Sequence, residues 1–577
     1  MNQITRKFKL DYKTTFLLGL CLGFIGFFIV YGFKVINVTY DGWLLNSAET
    51  EGLWDLSQHY QGWRAFRNTP WQFPFGLIEG IADNKVSVAY TDSIPLFAIF
   101  FKILSPFLPS TFQYFGIFGF LCYGLIGGFG ALISSNKNQN PLFISISSLF
   151  FIFNPVLLKR MFYHTALSAH FLILAAICLW IFQDRISRKW FYICSGLLGF
   201  FSISINPYFL PMTIGILTFS CFYQFFLSKK ITCFLPIIIS CLVTLLTGWS
   251  IGLLYGDVSA SAEGLTRLSF NLNQFVNSGN PLLNISNYQY LWHTQTYSLF
   301  LPPLKLTSPW QTEGFAYLGI GVIILCIFSI ILLAPQKIPI LPKNTLIALI
   351  CFCTFLILAL SPKITFASTV LIQWKPLSLI KKILSVFRST GRLIWPAYYG
   401  IYTACIMIVG QYLESKSNKR IGIILFSLCL GIQLLDLSPA FSYKHKAYTK
   451  EITYESPLSD SLWDTIGKNA TNIIFDKGSH LGIYCDPGFS CIFEEYAYRY
   501  DLDMNLSYLS RDIADISDKE TKKHFQSRAS GKSYPTTIYV FYSFSKLPDA
   551  QKYHLTYFSL NNYTIGVDNE NPIFKNK

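Results

Sequence analysis

The stretch YDGWLLNSAETEGLWDLSQHYQGWRAFRNTPWQFPFG (residues 40–76) sets Asp41, Glu49, Glu51, Asp55, His59, Arg64 and Arg67 among Trp43, Trp54, Trp63 and Trp71. Such a set can do two kinds of chemistry. A carboxylate takes the proton from an attacking hydroxyl, while flat apolar rings and cationic groups hold the partner that is attacked. Asp55 is the first candidate for the base and Asp41 the second. The competing roles are structural: Asp55 as the cap of a surface helix, Asp41 as the end of an apolar run in a Tyr-Asp-Gly turn.

Cationic groups recur further along. Arg388 and Arg392 lie four apart in FRSTGRLIWP, beside Ser389, Thr390 and Gly391. Two guanidinium forks at that spacing suit a phosphate or pyrophosphate; the alternative is snorkelling at a helix end. In YTDSIPLFAIFFK, Asp92 precedes an apolar run closed by Lys102, so Asp92 either positions substrate or caps that helix. Lys159, Arg160, His164 and His170 share NPVLLKRMFYHTALSAHF; the six-residue histidine spacing fits no helical metal pair, and buried, hydrogen-bonded imidazoles are the safer reading. Glu313, in EGFAYLG, is a candidate for acceptor binding. No phosphate-binding GxxxxGK[ST], CxxC, GxSxG or HExxH occurs, which removes the parts of a nucleotide-driven pump, a zinc hydrolase and a serine hydrolase.

The elements that must position these groups are largely set by composition. With 52% hydrophobic residues, 13% charged, 53 Phe and 34 Tyr, the chain reads as a polytopic α-helical membrane protein. Runs long enough to cross hydrocarbon fall near 15–37, 113–134, 141–157, 165–183, 191–206, 208–227, 232–254, 315–334, 345–361, 394–412 and 421–438, about eleven spans. With the N-terminus inside, every short inner loop is basic, as cytoplasmic loops are. The long segments 39–112, 255–314, 362–393 and the tail then lie outside. The net charge of +15 is absorbed by those inner loops and is no nucleic-acid footprint. The first apolar run is too long for a cleaved signal and is expected to remain as an anchor. DLSQHYQGWRAF predicts a helix over 55–66, and VLIQWKPLSLIKKILSVF a second, amphipathic one within 368–388. The expected organisation is a membrane module over 1–438, including the first outer loop 39–112, and an extracytoplasmic C-terminal part over 439–577. There TNIIF and TTIYVFY predict strands of a small α/β domain. Twelve of the 14 cysteines lie in or beside apolar runs; Cys485 and Cys491, in YCDPGFSC, either pair across the Pro-Gly turn or stay apart.

LWDLSQHYQGWRAFRNTPWQFPFG, placed just after a first span, resembles the GT-C superfamily of glycosyltransferases, in particular the lipid A aminoarabinose transferase and the protein mannosyltransferases. YTDSIPLFAIFFK, INPYF, EGFAYLG, FRSTGR and QLLDLSP are similar to elements of a bacterial family of GT-C-like membrane proteins, a likeness that covers most of the chain. The resemblance implies an inverting transferase that takes a sugar from a polyprenyl-phosphate carrier to an envelope glycan or lipid on the outer face of a bacterial inner membrane. It makes Asp55 the acidic residue that acts as catalytic base, by position; His59, Arg64, Asp92, Lys102, His164, Glu313, Arg388 and Arg392 stand beside it as substrate-binding candidates. The Asp-Glu pair common in those enzymes is Asp55-Leu56 here, which keeps Asp41 in consideration. A pre-formed phosphate-ester donor needs no ATP or nucleotide site, and metal use differs among these enzymes, leaving room for a divalent ion. The alternatives are a flippase or transporter for a lipid-linked glycan, and a non-catalytic envelope-assembly protein. A transporter is disfavoured by the absence of an internal repeat and by apolar mid-span positions.

Overall fold

The computed structural model describes residues 10–46, 53–81, 84–255, 264–279, 296–334, 342–378, 387, 389–415, 419–475, 487–505, 507–510, 514–541 and 547–571. The chain divides into two compact units: Met1–Tyr40, Thr111–Leu246 and Ser261–Glu451 in the first, Asp41–Ser110, Thr247–Ala260 and Ile452–Lys577 in the second. In this division the first outer loop groups with the C-terminal region.

The first unit is helical. Among the described residues, eight helices are long and apolar enough to cross a membrane, nine if the pair Arg420–Asp436 and Ser438–Thr449, bent by 52°, counts as one span. The expected eleven are reduced for identifiable reasons. Ile320–Leu333 has only 14 residues, about 21 Å at 1.5 Å per residue, because the run over 315–319 stays non-helical up to Gly319 at φ 84°. Arg188–Ile205 opens on Arg188 and Lys189, which dilute its apolar character. Small residues set a close helix contact. A Cβ on Gly19 or Gly23 of Tyr12–Tyr31 would meet the carbonyl oxygen of Gly127 at 2.2 Å or of Tyr123 at 2.1 Å, so the helices Tyr12–Tyr31 and Phe115–Ser135 touch backbone to backbone.

The second unit holds a seven-stranded sheet. Its strands are β1 (Leu77–Ile81), β2 (Asn84–Ser87), β5 (Asn472–Phe475), β6 (Asp503–Met504), β7 (Thr537–Phe541), β8 (Leu555–Leu560) and β9 (Tyr563–Asp568), in the order β2-β1-β6-β5-β7-β9-β8. The two strands expected at TNIIF and TTIYVFY are β5 and β7, paired in parallel at the centre. First-loop residues extend the sheet, since β1 runs parallel to β6 through Ile81 and Met504. β3 (Lys363–Phe366) and β4 (Thr369–Gln373) form a separate hairpin in the first unit. That corrects the start of the helix expected over 368–388: β-branched Thr365, Val370 and Ile372 favour pairing, and Ala367 turns the chain at φ 51°. Residues 379–386 of that segment, and Arg388, lie outside the described residues.

The helix expected over 55–66 spans Leu53–Asn68, with Asp55 in its first turn at the positive end of the helix dipole. Leu56, Tyr60, Trp63 and Phe66 recur at helical spacing and are fully buried. The helix stops before Thr69-Pro70, where proline disfavours helical geometry in the preceding residue.

Candidate functional site

Two clusters of ionisable groups stand out, one in each unit. In the first unit, Asn154 caps a short helix by accepting the Leu157 N–H at 2.9 Å, and that helix, Pro155–Arg160, ends on Lys159 and Arg160. Two 3-10 turns face it. Pro309–Gly314 opens with a Ser308/Gln311 capping box, and Thr390–Ile394 carries Arg392. The turns touch through glycine: a Cβ on Gly391 would lie 3.0 Å from Gly314 Cα. This proximity gives the EGFAYLG and FRSTGR motifs a common physical cause.

Glu313 sits at the junction. Its Oε2 is 2.7 Å from Arg392 Nε and 3.2 Å from Arg160 Nη1, while Arg160 Nη2 donates to its backbone carbonyl at 2.7 Å. Burial alone pushes the Glu313 carboxyl up, but the Arg160 and Arg392 charges outweigh it and hold the group well below the usual carboxylate range. Lys159 donates to the Thr312 carbonyl at 3.1 Å and lies 4.6 Å from the Phe315 ring centre. The Arg392 guanidinium lies 4.5 Å from the Tyr208 ring centre and that of Arg160 5.3 Å from Trp395. His164 adds to the positive field at Glu313. His170 is buried, bonded through Nδ1 to Tyr399 at 2.9 Å and packed 4.4 Å from Trp395, as the safer reading of that histidine had it. Among the described residues, buried His170 Nε2, Trp395 Nε1, Thr165 Oγ1, Ser168 Oγ and Ser389 Oγ have no protein hydrogen-bond partner. Buried polar atoms in that condition are normally met by water or ligand.

The second cluster surrounds the helix Leu53–Asn68. Tyr60 donates to Asp41 Oδ2 at 3.0 Å; burial raises the proton affinity of Asp41 against that hydrogen bond. Tyr508 donates to Asp55 Oδ1 at 3.0 Å. Arg64 lies 3.5 Å from the Tyr498 ring centre and 4.0 Å from Glu495, which is also paired with Arg499 at 2.9 Å. His59 is fully buried, and burial pushes it down to about 3, so it is neutral near pH 7. Glu494 on the helix Pro487–Tyr500 accepts from the Tyr508 N–H, Ser507 and Ser490 at 2.6, 2.8 and 3.2 Å, yet burial raises it to about 7.

Several expectations need correction. Asp92 does not cap the helix Pro95–Ile103, whose N-cap is Ile94; it closes the 3-10 turn Val88–Thr91 at φ 54°. Lys102 is buried, with its ammonium 4.0 Å from the Phe66 ring centre and 4.8 Å from that of Trp71, and burial pushes it down to about 8. Cys485 lies outside the described residues. Sequence alone places Arg160 only in a polar cluster and does not single out Glu494, Glu495, Tyr498 or Tyr508. The i,i+4 spacing of Glu495 and Arg499 was the available signal. Among the described residues, no three His, Cys, Asp or Glu side chains come together as a metal site.

Comparison with curated proteins gives no match. Residues 20–438 match DUF6311, a domain of unknown function, and the chain belongs to that family.

Proposed function

We propose that the protein is an inverting glycosyltransferase of the bacterial inner membrane, moving a sugar from a polyprenyl-phosphate carrier to an envelope glycan or lipid acceptor. In this reading the N-terminus is cytoplasmic and the chemistry takes place on the outer face. The acceptor oxygen attacks the anomeric carbon, the bond from that carbon to the phosphate oxygen breaks, and its electron pair leaves with the polyprenyl phosphate. The acceptor proton passes to a carboxylate, with Asp55 as first candidate and Asp41 as second. The raised proton affinity of Asp41 suits a base.

The observation that carries the reading is a buried cluster of cationic side chains at the junction of two turns. Arg160 and Arg392 both meet the carboxylate of Glu313, and Lys159 donates to the neighbouring Thr312 carbonyl. The buried, unpartnered polar atoms of His170, Trp395, Thr165, Ser168 and Ser389 belong to the same region of sequence and contact. Guanidinium groups held in place suit a phosphate on which charge grows as the sugar leaves.

The test is sugar transfer from a radiolabelled polyprenyl-phosphate donor to envelope acceptor by the purified full-length protein. Asp55→Asn is expected to lower the rate by about 10²–10⁴-fold, the usual contribution of a positioned base, and Arg392→Gln to weaken donor binding. No transfer by the unaltered protein, or equal transfer by Asp55→Asn and Asp41→Asn, overturns the assignment. Movement of the carrier across vesicles without transfer would mark a flippase instead.

A further inference from the structure

We propose that the loop 71–76 and the helix Pro95–Ile103, with Phe107 just beyond it, form a foot of the second unit that enters the interfacial region of a phospholipid bilayer. This rests on observations separate from the transferase reading.

The helix is inside out for a water-facing element. Lys102 is 4% exposed, and Pro95 and Ala98 are buried, whereas Phe100 and Ile103 are 55% and 61% exposed and Phe107 reaches 87%. An amphipathic helix against water presents the opposite arrangement. Large apolar side chains left in water forfeit the gain that burial would bring. The Lys102 ammonium is instead turned inward against Phe66 and Trp71, and Trp71 begins the second part of the foot. In WQFPFG, Trp71, Phe73 and Phe75 are all about half exposed, three large rings within five residues.

What covers these rings follows from where the loop is tied. Phe75 N–H donates to the Ser250 carbonyl at 2.8 Å, Ser87 Oγ to Ile251 at 2.7 Å, and Tyr90 to Leu253 at 2.9 Å. Phe73 packs edge-on to Trp249, with ring centres 4.6 Å apart. Ser250 is the last residue of Ile231–Ser250, one of the helices apolar enough to cross a membrane. The end of such a helix lies at the headgroup level, where Trp and Tyr concentrate because their rings are apolar with a polar edge. Trp249, Tyr255 and the foot therefore share one depth. The Lys85–Glu79 ion pair, at 2.6 Å on β2 and β1, supplies a polar margin. The occupant this chemistry fits is lipid.

The test uses the full-length protein in nanodiscs of phosphatidylethanolamine and phosphatidylglycerol, with p-benzoylphenylalanine in place of Phe107, Phe100 or Phe73. This replacement keeps an aromatic ring at each site and so spares the fold. The same group in place of Lys552, an exposed residue of the short helix Ala550–Tyr553, is the comparison. After irradiation, about tenfold more lipid adduct is expected at Phe107 than at Lys552 if the ring lies among interfacial lipids. Equal adduct at both sites overturns the proposal. So does crosslinking of Phe107 and Phe100 to a second protein chain in place of lipid, which would make the surface a contact between copies.

Discussion

Glu313 and Glu494 are both withdrawn from water, one in each unit, and their surroundings treat them in opposite ways. Glu313 has guanidinium nitrogens at 2.7 and 3.2 Å and stays ionised far below its ordinary range. Glu494 has three hydrogen bonds from neutral donors and is pushed up to about 7. Burial penalises the charged form in both. Hydrogen bonds to neutral groups offset only part of that penalty, whereas two facing full charges reverse it. Asp41, bonded by Tyr60 and raised by burial, behaves like Glu494. Around Glu313 the first unit thus keeps a buried ion pair with Arg160 and Arg392. In the second unit Glu494 and Asp41 bind protons more readily, whereas Asp568, paired with Arg528 at 2.7 Å, is lowered as Glu313 is.

The sharpest way to break this contrast is Glu313→Gln, which leaves Arg160 and Arg392 close together without their anion. Removing one partner of a buried pair costs about 3–5 kcal/mol, so the unfolding midpoint of the detergent-solubilised protein is expected to drop markedly. The double variant Glu313→Gln/Arg392→Gln should recover part of that loss. An unchanged midpoint in the single variant would mean that the cations have other anions close by.

A smaller effect is expected at Glu494, with a definite sign. Its folded value lies above the ordinary 4.5, so the folded state holds more protons than the unfolded one between about pH 4.5 and 7. The stability it contributes is full below that window and is lost as pH rises through it, by up to roughly 3 kcal/mol. Glu313 runs the other way: its contribution is present above its unfolded value and is lost as pH falls through its depressed folded value. Unfolding midpoints of Glu494→Gln should be flatter than those of the unaltered protein between pH 5 and 7. Identical pH profiles would remove the contrast.

The smallest change is expected where an ion pair is exposed. Lys34 and Glu451 meet at 2.6 Å with both side chains largely open to solvent. Glu451→Gln should therefore cost no more than about 1 kcal/mol. A loss as large as that of Glu313→Gln would show that distance rather than burial governs these pairs.

Much of the architecture was written locally. Apolar runs of membrane length, the helix over 53–68 with its 3.6-residue spacing of Leu56, Tyr60, Trp63 and Phe66, and the strands at TNIIF and TTIYVFY are all short-range patterns, and short-range patterns survive in sequence. The helix expected within 368–388 failed at its start because an amphipathic run and a hairpin of β-branched residues look alike until a partner strand is known. The place of Asp92 is not legible locally, because a left-handed residue at 92 and Ile94 at the N-cap depend on how Val88–Thr91 turns.

By itself, the sequence determined where apolar helices form, which segments carry charge and which residue types were available for chemistry, because those follow from the periodicity and hydration of neighbouring residues. Only the tertiary structure decided that β1 joins β6 across more than 400 residues of chain, that Glu313 lies between Arg160 and Arg392, and that Lys102 points inward while Phe100 and Phe107 point out. Each of those is a long-range pairing whose stability depends on the dielectric and charge of its final surroundings, and no local window of sequence encodes these.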